Sequence, residues 1–369
     1  MTTVFEHSVP PAHPGAGQPA DGGSVVGPSG GMPPVPPVLS ILASAMTATM
    51  LDLGNRTGLI RALAAGPADA AELAERTGGD ERLIAEWLRC LDAAGLLVSA
   101  GSRSQWTPDA AAMLAAPPGS PADLSAGIGL FSALAGCVPV VAEAFGSGRV
   151  PADAYPPELA SAMQRMSEGW TSGILPQVWV PAIDGLVERL QAGGRVAEIG
   201  CGAGHALQAL GERYPGMTAD GFELDDRQVA DGNRRLTAAG LTDRLWLHAE
   251  DAVAGLAGPY DLVLALSVLH DVGDLDTVLR VVVDHLAPQG HLLVVESPPL
   301  RGPLAAMLLA TSTLYCVPSV QARGHAAPGT LGLPPEVLMQ AASRAGLILD
   351  PPLPQAIPLV AAYSFSASR

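Results

Sequence analysis

The chain has 369 residues, 48% hydrophobic and 15% charged, which is length for two domains and apolar content for a large core. Its formal net charge of −16 argues against a nucleic-acid backbone as partner. Cys90, Cys137, Cys201 and Cys316 form no C-x-x-C pair, so their spacing suggests neither a zinc site nor a disulfide framework, and a reducing cytoplasm is the expected location. The N-terminus lacks a basic region followed by an apolar core, and no uninterrupted apolar stretch reaches membrane-spanning length, so neither a signal peptide nor a membrane partner is expected.

Residues 1–38 hold nine Pro and seven Gly and few large apolar residues. Such a segment buries too little surface to offset its ordering entropy, and a disordered tail without chemistry is expected. Residues 39–115 change character. Helices are expected over Ser40–Leu53, Thr57–Ala64 and Ala70–Arg76, the last closed by Gly78-Gly79. Asp80 caps a fourth over Glu81–Ala94, with Leu83, Ile84, Trp87, Leu88 and Leu91 on one stripe. Leu96–Val98 and Ser104–Thr107 flank a glycine turn and read as a hairpin. Helices followed by a two-stranded wing make the winged-helix pattern, used for DNA reading or as a dimerisation scaffold. Residues 38–112 carry six Arg against nine Asp and Glu, and the helix that would enter a groove is itself acidic, which favours the scaffold.

Residues 116–190 read as a helical linker, including Ala122–Phe145 and Pro157–Leu190. Trp170, Trp179, Met163 and Met166 in it serve either core packing or the roof of a pocket. Residues 191–369 alternate strand and helix. Strands are expected at Arg195–Ile199, Thr218–Glu223, Leu245–His248, Asp261–Ala265, His291–Glu296 and Leu359–Phe365. Helices are expected at Ala206–Tyr214, Asp226–Ala239, Leu275–Leu286 and Pro335–Ala345. The fold class is therefore α/β, a Rossmann-like doubly wound sheet behind an N-terminal helical winged-helix domain. Segment 300–334 interrupts the alternation, and its apolar run Leu304–Leu314 suits a pocket wall, a lid or a dimer contact.

The most informative stretch is Val196-Ala-Glu-Ile-Gly-Cys-Gly-Ala-Gly-His205. A short apolar strand reaches Glu198, and glycines follow at 200, 202 and 204. Glycine at a strand-to-helix turn lets backbone approach a ligand closely. The spacing is not the dinucleotide G-x-G-x-x-G, and the turn carries no Lys or Arg for a phosphate. In open α/β sheets ligands sit at the carboxyl ends of strands. Glu223 ends the second strand, where an acid commonly accepts bonds from two ribose hydroxyls. Asp251 follows the third strand, where a carboxylate suits an adenine amino group, with Glu250 as a neighbouring competitor and helix capping as the plainer role. Ser267 and His270 follow the fourth strand and Glu296 ends the fifth. Asp271 and Asp274 read as loop and helix-cap residues, and Cys201 as an apolar filler. His205, His248, His285 and His291 show no metal-ligand spacing, and no metal is expected.

Residues 195–296 resemble a class I S-adenosylmethionine-dependent methyltransferase. The resemblance rests on Glu198-Ile-Gly-Cys-Gly-Ala-Gly204, Gly221-Phe-Glu-Leu-Asp225, Glu250-Asp-Ala252, the run Tyr260–Asp274 and the run Leu286–Glu296. With the winged helix and linker it extends over about residues 39–369 and is similar to small-molecule O-methyltransferases that dimerise through such a domain. The pattern Tyr315-Cys-Val-Pro-Ser…Gly329-Thr-Leu-Gly332 looks closer to a bacterial subgroup of unassigned substrate. The resemblance implies S-adenosyl-L-methionine as cofactor. It places Gly200 and Gly202 near the methionine part and ribose, Glu198 near the methionine ammonium, Glu223 on the ribose, Asp251 with Ala252 at adenine, and backbone of Leu266 or Ser267 near the sulfonium. It makes His270 the general base and Glu296 the acid beside it, although the usual Trp after His-Asp is Val272 here.

The expected function is methyl transfer to a small-molecule acceptor in specialised metabolism, by a cytoplasmic homodimer, with a hydroxyl as leading acceptor and an amine or carbon as alternative. A non-catalytic, cofactor-sensing winged-helix regulator and a nicotinamide oxidoreductase are the rivals from other classes. The acidic recognition helix opposes the first and the absent G-x-G-x-x-G the second.

Overall fold

The computed structural model describes residues 35–117, 120 and 122–368, so residues 1–34 of the expected tail lie outside the described residues. The first helix runs Pro37–Arg56, three residues further at each end than expected, because Pro is well suited to a helix start. Helices Leu59–Ala64, Ala70–Thr77 and Glu81–Ala93 follow. Asp69 and Glu72 form a reciprocal capping box, and the Asp80 carboxylate accepts from Leu83 N at 2.9 Å. Ile84, Trp87, Leu88 and Leu91 are buried at i, i+3, i+4 and i+7, whereas Leu83 lies on the flank of that stripe and is exposed, contrary to expectation. The wing consists of β1 (Leu97–Ala100) and β2 (Arg103–Trp106), paired antiparallel. Trp87 and Trp106 meet edge-on at 6.0 Å in the core of this unit.

The linker is more broken than its composition suggests. Ala122–Phe145 divides into helices Ser125–Gly136 and Val138–Glu143, parted at Cys137 with Pro139 entering the second. Pro157–Leu190 is not one helix. An α-helix over Pro157–Gly169 opens into a π-helical turn, Trp170–Trp179, around Pro176, which has no N–H to continue an α-helix. A short 3-10 turn and Gly185 in a left-handed conformation precede the helix Leu186–Gln191. The carbonyl of Pro176 accepts from the buried Tyr214 hydroxyl at 2.9 Å, and Trp179 Nε1 donates to Pro354 O at 3.1 Å. These two bonds hold the linker against the sheet domain.

That domain contains β3 (Arg195–Ile199), β4 (Thr218–Phe222), β5 (Leu245–His248), β6 (Tyr260–Leu266), β7 (Leu286–Glu296), β8 (Leu347–Leu349) and β9 (Ala361–Ala367). The seven lie in the order β5-β4-β3-β6-β7-β9-β8, with β9 antiparallel to both neighbours. β8 was not anticipated; at three residues it is too short to show a period. The order reverses between β3, which pairs with β4 on one side, and β6 on the other. The carboxyl ends of β3 and β6 therefore open a crevice at a topological switch point.

Among the described residues, length and composition alone would let three helices cross a membrane: Pro37–Arg56, Ser125–Glu143 and Gly302–Ala322. The expectation that no apolar stretch reaches spanning length therefore does not hold: residues 125–142 and 302–322 carry no charged side chain, and Pro139, Pro303 and Pro318 punctuate them without adding charge.

One packing detail sets the glycine turn against the sheet. Leu247 of β5 projects into a space left by Gly204, Gly221 and Gly232 together, and an added Cβ at Gly221 would stand 2.7 Å from Leu247 Cδ2. Gly232 lies in the helix Asp226–Ala238, and a Cβ there would also approach the Ala203 carbonyl oxygen to 2.7 Å. Backbone cannot yield as a side chain can. Gly232→Ala should therefore lower stability by about 1–3 kcal/mol through overpacking. At an open helical site the same change would raise it by roughly 1 kcal/mol. Urea unfolding checks the sign.

Candidate active site

The turn after β3 is built by sequence. Gly200, Gly202 and Gly204 have φ of +63°, +55° and +70°, values that a side chain resists. Gly200 is also crowded, since a Cβ there would lie 2.5 Å from Val268 Cγ2. The Glu223 carboxylate ties this turn to the next strand: Oε2 accepts from Gly202 N and Oε1 from Asp225 N, each at 3.0 Å. Glu198 is buried, and its Oε2 has no hydrogen-bond partner among the described residues. Burial, and secondarily the Glu223 charge, hold its carboxyl well above the usual carboxylate range, with Arg235 opposing weakly. A buried carboxylate oxygen without a partner beside an acid is a place for a cationic donor. The chemistry of this end fits an ammonium and a ribose. Asp251 caps the helical turn Ala252–Gly255 by accepting from Val253 N at 2.9 Å, so the plainer role holds. Asp251 and Ala252 nevertheless line the cavity, and Glu250 does not.

Beyond β6 the backbone is strained. Ser267 has φ of +54°, and among the described residues it is the one non-glycine with positive φ. Its N–H donates to Val295 O at 2.7 Å, which pins the conformation. The chain then enters the 3-10 turn Leu269–Asp271, which carries His270 inward. Glu296, at the end of β7, receives this turn. Its Oε1 accepts from Leu269 N at 2.8 Å and His270 N at 3.3 Å, and its Oε2 stands 2.7 Å from His270 Nδ1. An ionised carboxylate only accepts, so Nδ1 carries the proton and Nε2 is left to face the cavity. Burial alone would depress the imidazole. The Cys316 and Glu296 hydrogen bonds and the Glu296 charge outweigh it, and the group stands well above the ordinary histidine range.

Glu198, Gly200, Gly202, Glu223, Asp251, Ala252, Ser267 and His270 all line one cavity of about 1790 Å³; Glu296 sits behind His270 and does not. Ordinary ligand sites measure about 300–1,000 Å³, so this one has room for two molecules. The far wall comes from the linker and from the segment around 302–322, with Met163, Trp170, Met307 and Leu314 among its residues. Of the roles open to Leu304–Leu314, pocket wall is the one seen. Over the glycine turn, Gln164 Nε2 of the linker donates to Gln228 Oε1 at 2.9 Å, a crossing contact that no periodicity announces. Asp271 ends the 3-10 turn, in keeping with a loop residue, but it is half-buried and its Oδ1 lacks a hydrogen-bond partner among the described residues. Asp274 does cap the helix Leu275–His285. His270, Asp271 and Cys316 form a cluster that linear spacing could not reveal, because 45 residues separate Asp271 from Cys316.

A family model described as a methyltransferase domain matches residues 197–292, and one described as an Rv2258c-like winged HTH domain matches residues 45–115. The chain is 29% identical over 312 residues to the 3-hydroxy-5-methyl-1-naphthoate 3-O-methyltransferase of Streptomyces sahachiroi, spanning 78% of this chain and 86% of that one. It is also 29% identical over 103 residues to polyketide synthase ThaQ of Burkholderia thailandensis, of whose length it spans only 5%. Among solved structures, CalO1, a methyltransferase in calicheamicin biosynthesis in its SAH-bound form, superposes with a TM-score of 0.61 at 22% identity, over 90% of this chain and all of that one (100%).

The cofactor end makes a clean test. Glu223→Ala should weaken S-adenosylhomocysteine binding by at least about tenfold, or about 1.4 kcal/mol. Glu250→Ala, outside the cavity, should leave it unchanged. Isothermal titration distinguishes the two, and equal affinities would remove Glu223 from the site.

Proposed function

We propose that this chain, a class I S-adenosylmethionine-dependent methyltransferase with an N-terminal winged-helix domain, methylates a hydroxyl of a small, largely apolar molecule with His270 as general base. One observation carries the reading. A buried imidazole, oriented through Nδ1 by Glu296 at 2.7 Å, opens its Nε2 onto the same cavity as the glycine turn.

S-adenosylmethionine, when bound, supplies a methyl group already activated on a sulfonium. The protein's task is then to align the acceptor and to remove its proton. Alignment is worth up to about 7–11 kcal/mol in favourable cases. The cavity wall of Met163, Trp170, Met307 and Leu314 offers an apolar surface on which to seat a ring. His270 takes the hydroxyl proton at Nε2. Glu296 keeps the Nδ1 proton in place and stabilises the imidazolium that results, which makes it a positioning residue. An amine acceptor needs no such base, and the buried pair is what favours a hydroxyl. The naphthoate 3-O-methyltransferase relative supports the same choice and a place in specialised metabolism. We read the winged helix as a dimerisation scaffold of a cytoplasmic protein. Arg82 and Arg89, the basic residues of the helix Glu81–Ala93, both pair with Glu86 on its outer face, which lowers the positive field a phosphate would meet.

With an O-acceptor, His270→Ala should lower kcat by about 10²–10⁴-fold while S-adenosylhomocysteine affinity is retained. Near-normal turnover would end the base assignment. The pH profile adds a second check. The base works only unprotonated and its pKa is raised, so kcat/KM should climb with pH through a point above the ordinary histidine range. Glu296→Gln removes a charge that raises that pKa, so the climb should move to lower pH and the plateau should fall.

A further inference from the structure

We propose that His270 Nε2, Asp271 Oδ1 and Cys316 Sγ form a binding site for a borderline-soft divalent cation, zinc in the first instance, whose occupancy switches the enzyme off. The three donor atoms lie within 4.8 Å of one another. Nε2 stands 3.8 Å from Cys316 Sγ and 3.7 Å from Asp271 Oδ1. With Zn–S of about 2.3 Å and Zn–N and Zn–O of about 2.0–2.2 Å, a tetrahedral site separates S from N by about 3.6 Å and N from O by about 3.4 Å. Those two pairs therefore need little closure, and the Asp271 carboxylate, whose side chain is 22% exposed on a 3-10 turn, supplies the remaining closure toward Cys316.

The surroundings are also those of a metal site. A zinc-bound histidine usually donates its other ring N–H to a carboxylate, and Glu296 already receives Nδ1 at 2.7 Å. The Thr330 hydroxyl lies 3.4 Å from Cys316 Sγ, within reach of a thiolate as a donor. Asp271 Oδ1 has no hydrogen-bond partner among the described residues although it is shielded from water, so a ligand bond would satisfy it. The mixed N, O and S donor set suits zinc and is poor for Mg²⁺ or Ca²⁺, which take oxygen ligands. Three protein ligands leave a fourth position, and all three residues line the cavity, so that position is open to water or to the acceptor. On binding, Cys316 loses its thiol proton to solvent, any proton on His270 Nε2 or the Asp271 carboxyl leaves with it, and His270 ligates as neutral imidazole through the lone pair of Nε2. A lone pair donated to a metal cannot accept a proton from a hydroxyl. Binding itself is independent of the proposed base role; its inhibitory consequence rests on that role.

Cobalt(II) reads the site directly. One equivalent added to the full-length protein should produce tetrahedral ligand-field bands and a thiolate-to-cobalt charge-transfer band, both bleached by equimolar zinc. Cys316→Ser should abolish the charge-transfer band, and Asp271→Asn should weaken zinc binding by at least about tenfold, within the range seen for lost ligands and their partners. Retained S-adenosylhomocysteine binding shows that each variant is folded. Zinc at a tenfold excess should cut wild-type turnover at least tenfold, EDTA should restore it, and magnesium should do neither. Absence of the charge-transfer band in wild type, or its persistence in Cys316→Ser, overturns the site. A cobalt band with full turnover under saturating zinc overturns the switch. If His270→Ala turns over normally while the wild-type protein shows the band, it is the base assignment that has failed and not the site.

Discussion

The acceptor end of this molecule depends on one carboxylate. Glu296 is buried and takes three donors from two consecutive residues: the N–H groups of Leu269 and His270, and the ring of His270. The two backbone bonds set the turn that carries the histidine; the third sets the ring upon that turn. A buried charge is tolerated only when it is satisfied in this way, and breaking the set would leave either a lone carboxylate or a freely rotating imidazole. The strained Ser267 just upstream belongs to the same device. Its left-handed backbone re-aims the chain as β6 ends, and its bond to Val295 on β7 joins the two strands whose ends hold the pair. Strain at this point is compensated by the sheet on both sides.

The cofactor end is governed by the absence of side chains. Gly204, Gly221 and Gly232 come from a turn, a strand and a helix, and each leaves room for the one side chain of Leu247. Closing around that leucine brings the turn near the strand ends, where Glu223 can hold Gly202 N. Glu198 then stands beneath the turn with one oxygen that has no hydrogen-bond partner among the described residues. Close packing thus leaves a buried polar atom unsatisfied, and a cationic group placed there would satisfy it.

Legibility in the sequence followed how local each signal was. β3 and β5 have the expected limits: β3 is a short apolar strand that stops at Gly200, and β5 is a short run, Leu245–His248, that stops before the polar pair Glu250-Asp251. The residues at strand ends were readable for the same reason: once a parallel sheet is inferred, its carboxyl edge is a known place, and eight of the nine candidate residues line one cavity with the ninth behind His270. What escaped was non-local or conformational. Pro176 could be seen, but not that its neighbours would relax into a π-helical turn. Ser267 bears no mark of its positive φ. Asp271 looked like a loop residue because its neighbour in space, Cys316, is remote in sequence. The Gln164–Gln228 bond joins the linker to the sheet domain with no spacing to betray it.

The two ends of the cavity are also coupled by charge. Glu198, Glu223 and Asp271 line the cavity with Glu296 behind His270, and burial, aided by Glu223 at the one and Glu296 at the other, raises the carboxyls of Glu198 and Asp271. At His270 burial disfavours the imidazolium, while Cys316, Glu296 and Asp271 favour it and prevail. A cationic group held at the Glu198 end would add a positive charge to the same low-dielectric cavity and so pull the imidazole the other way. The two ends therefore act on one another through charge, as opposing pulls on one proton.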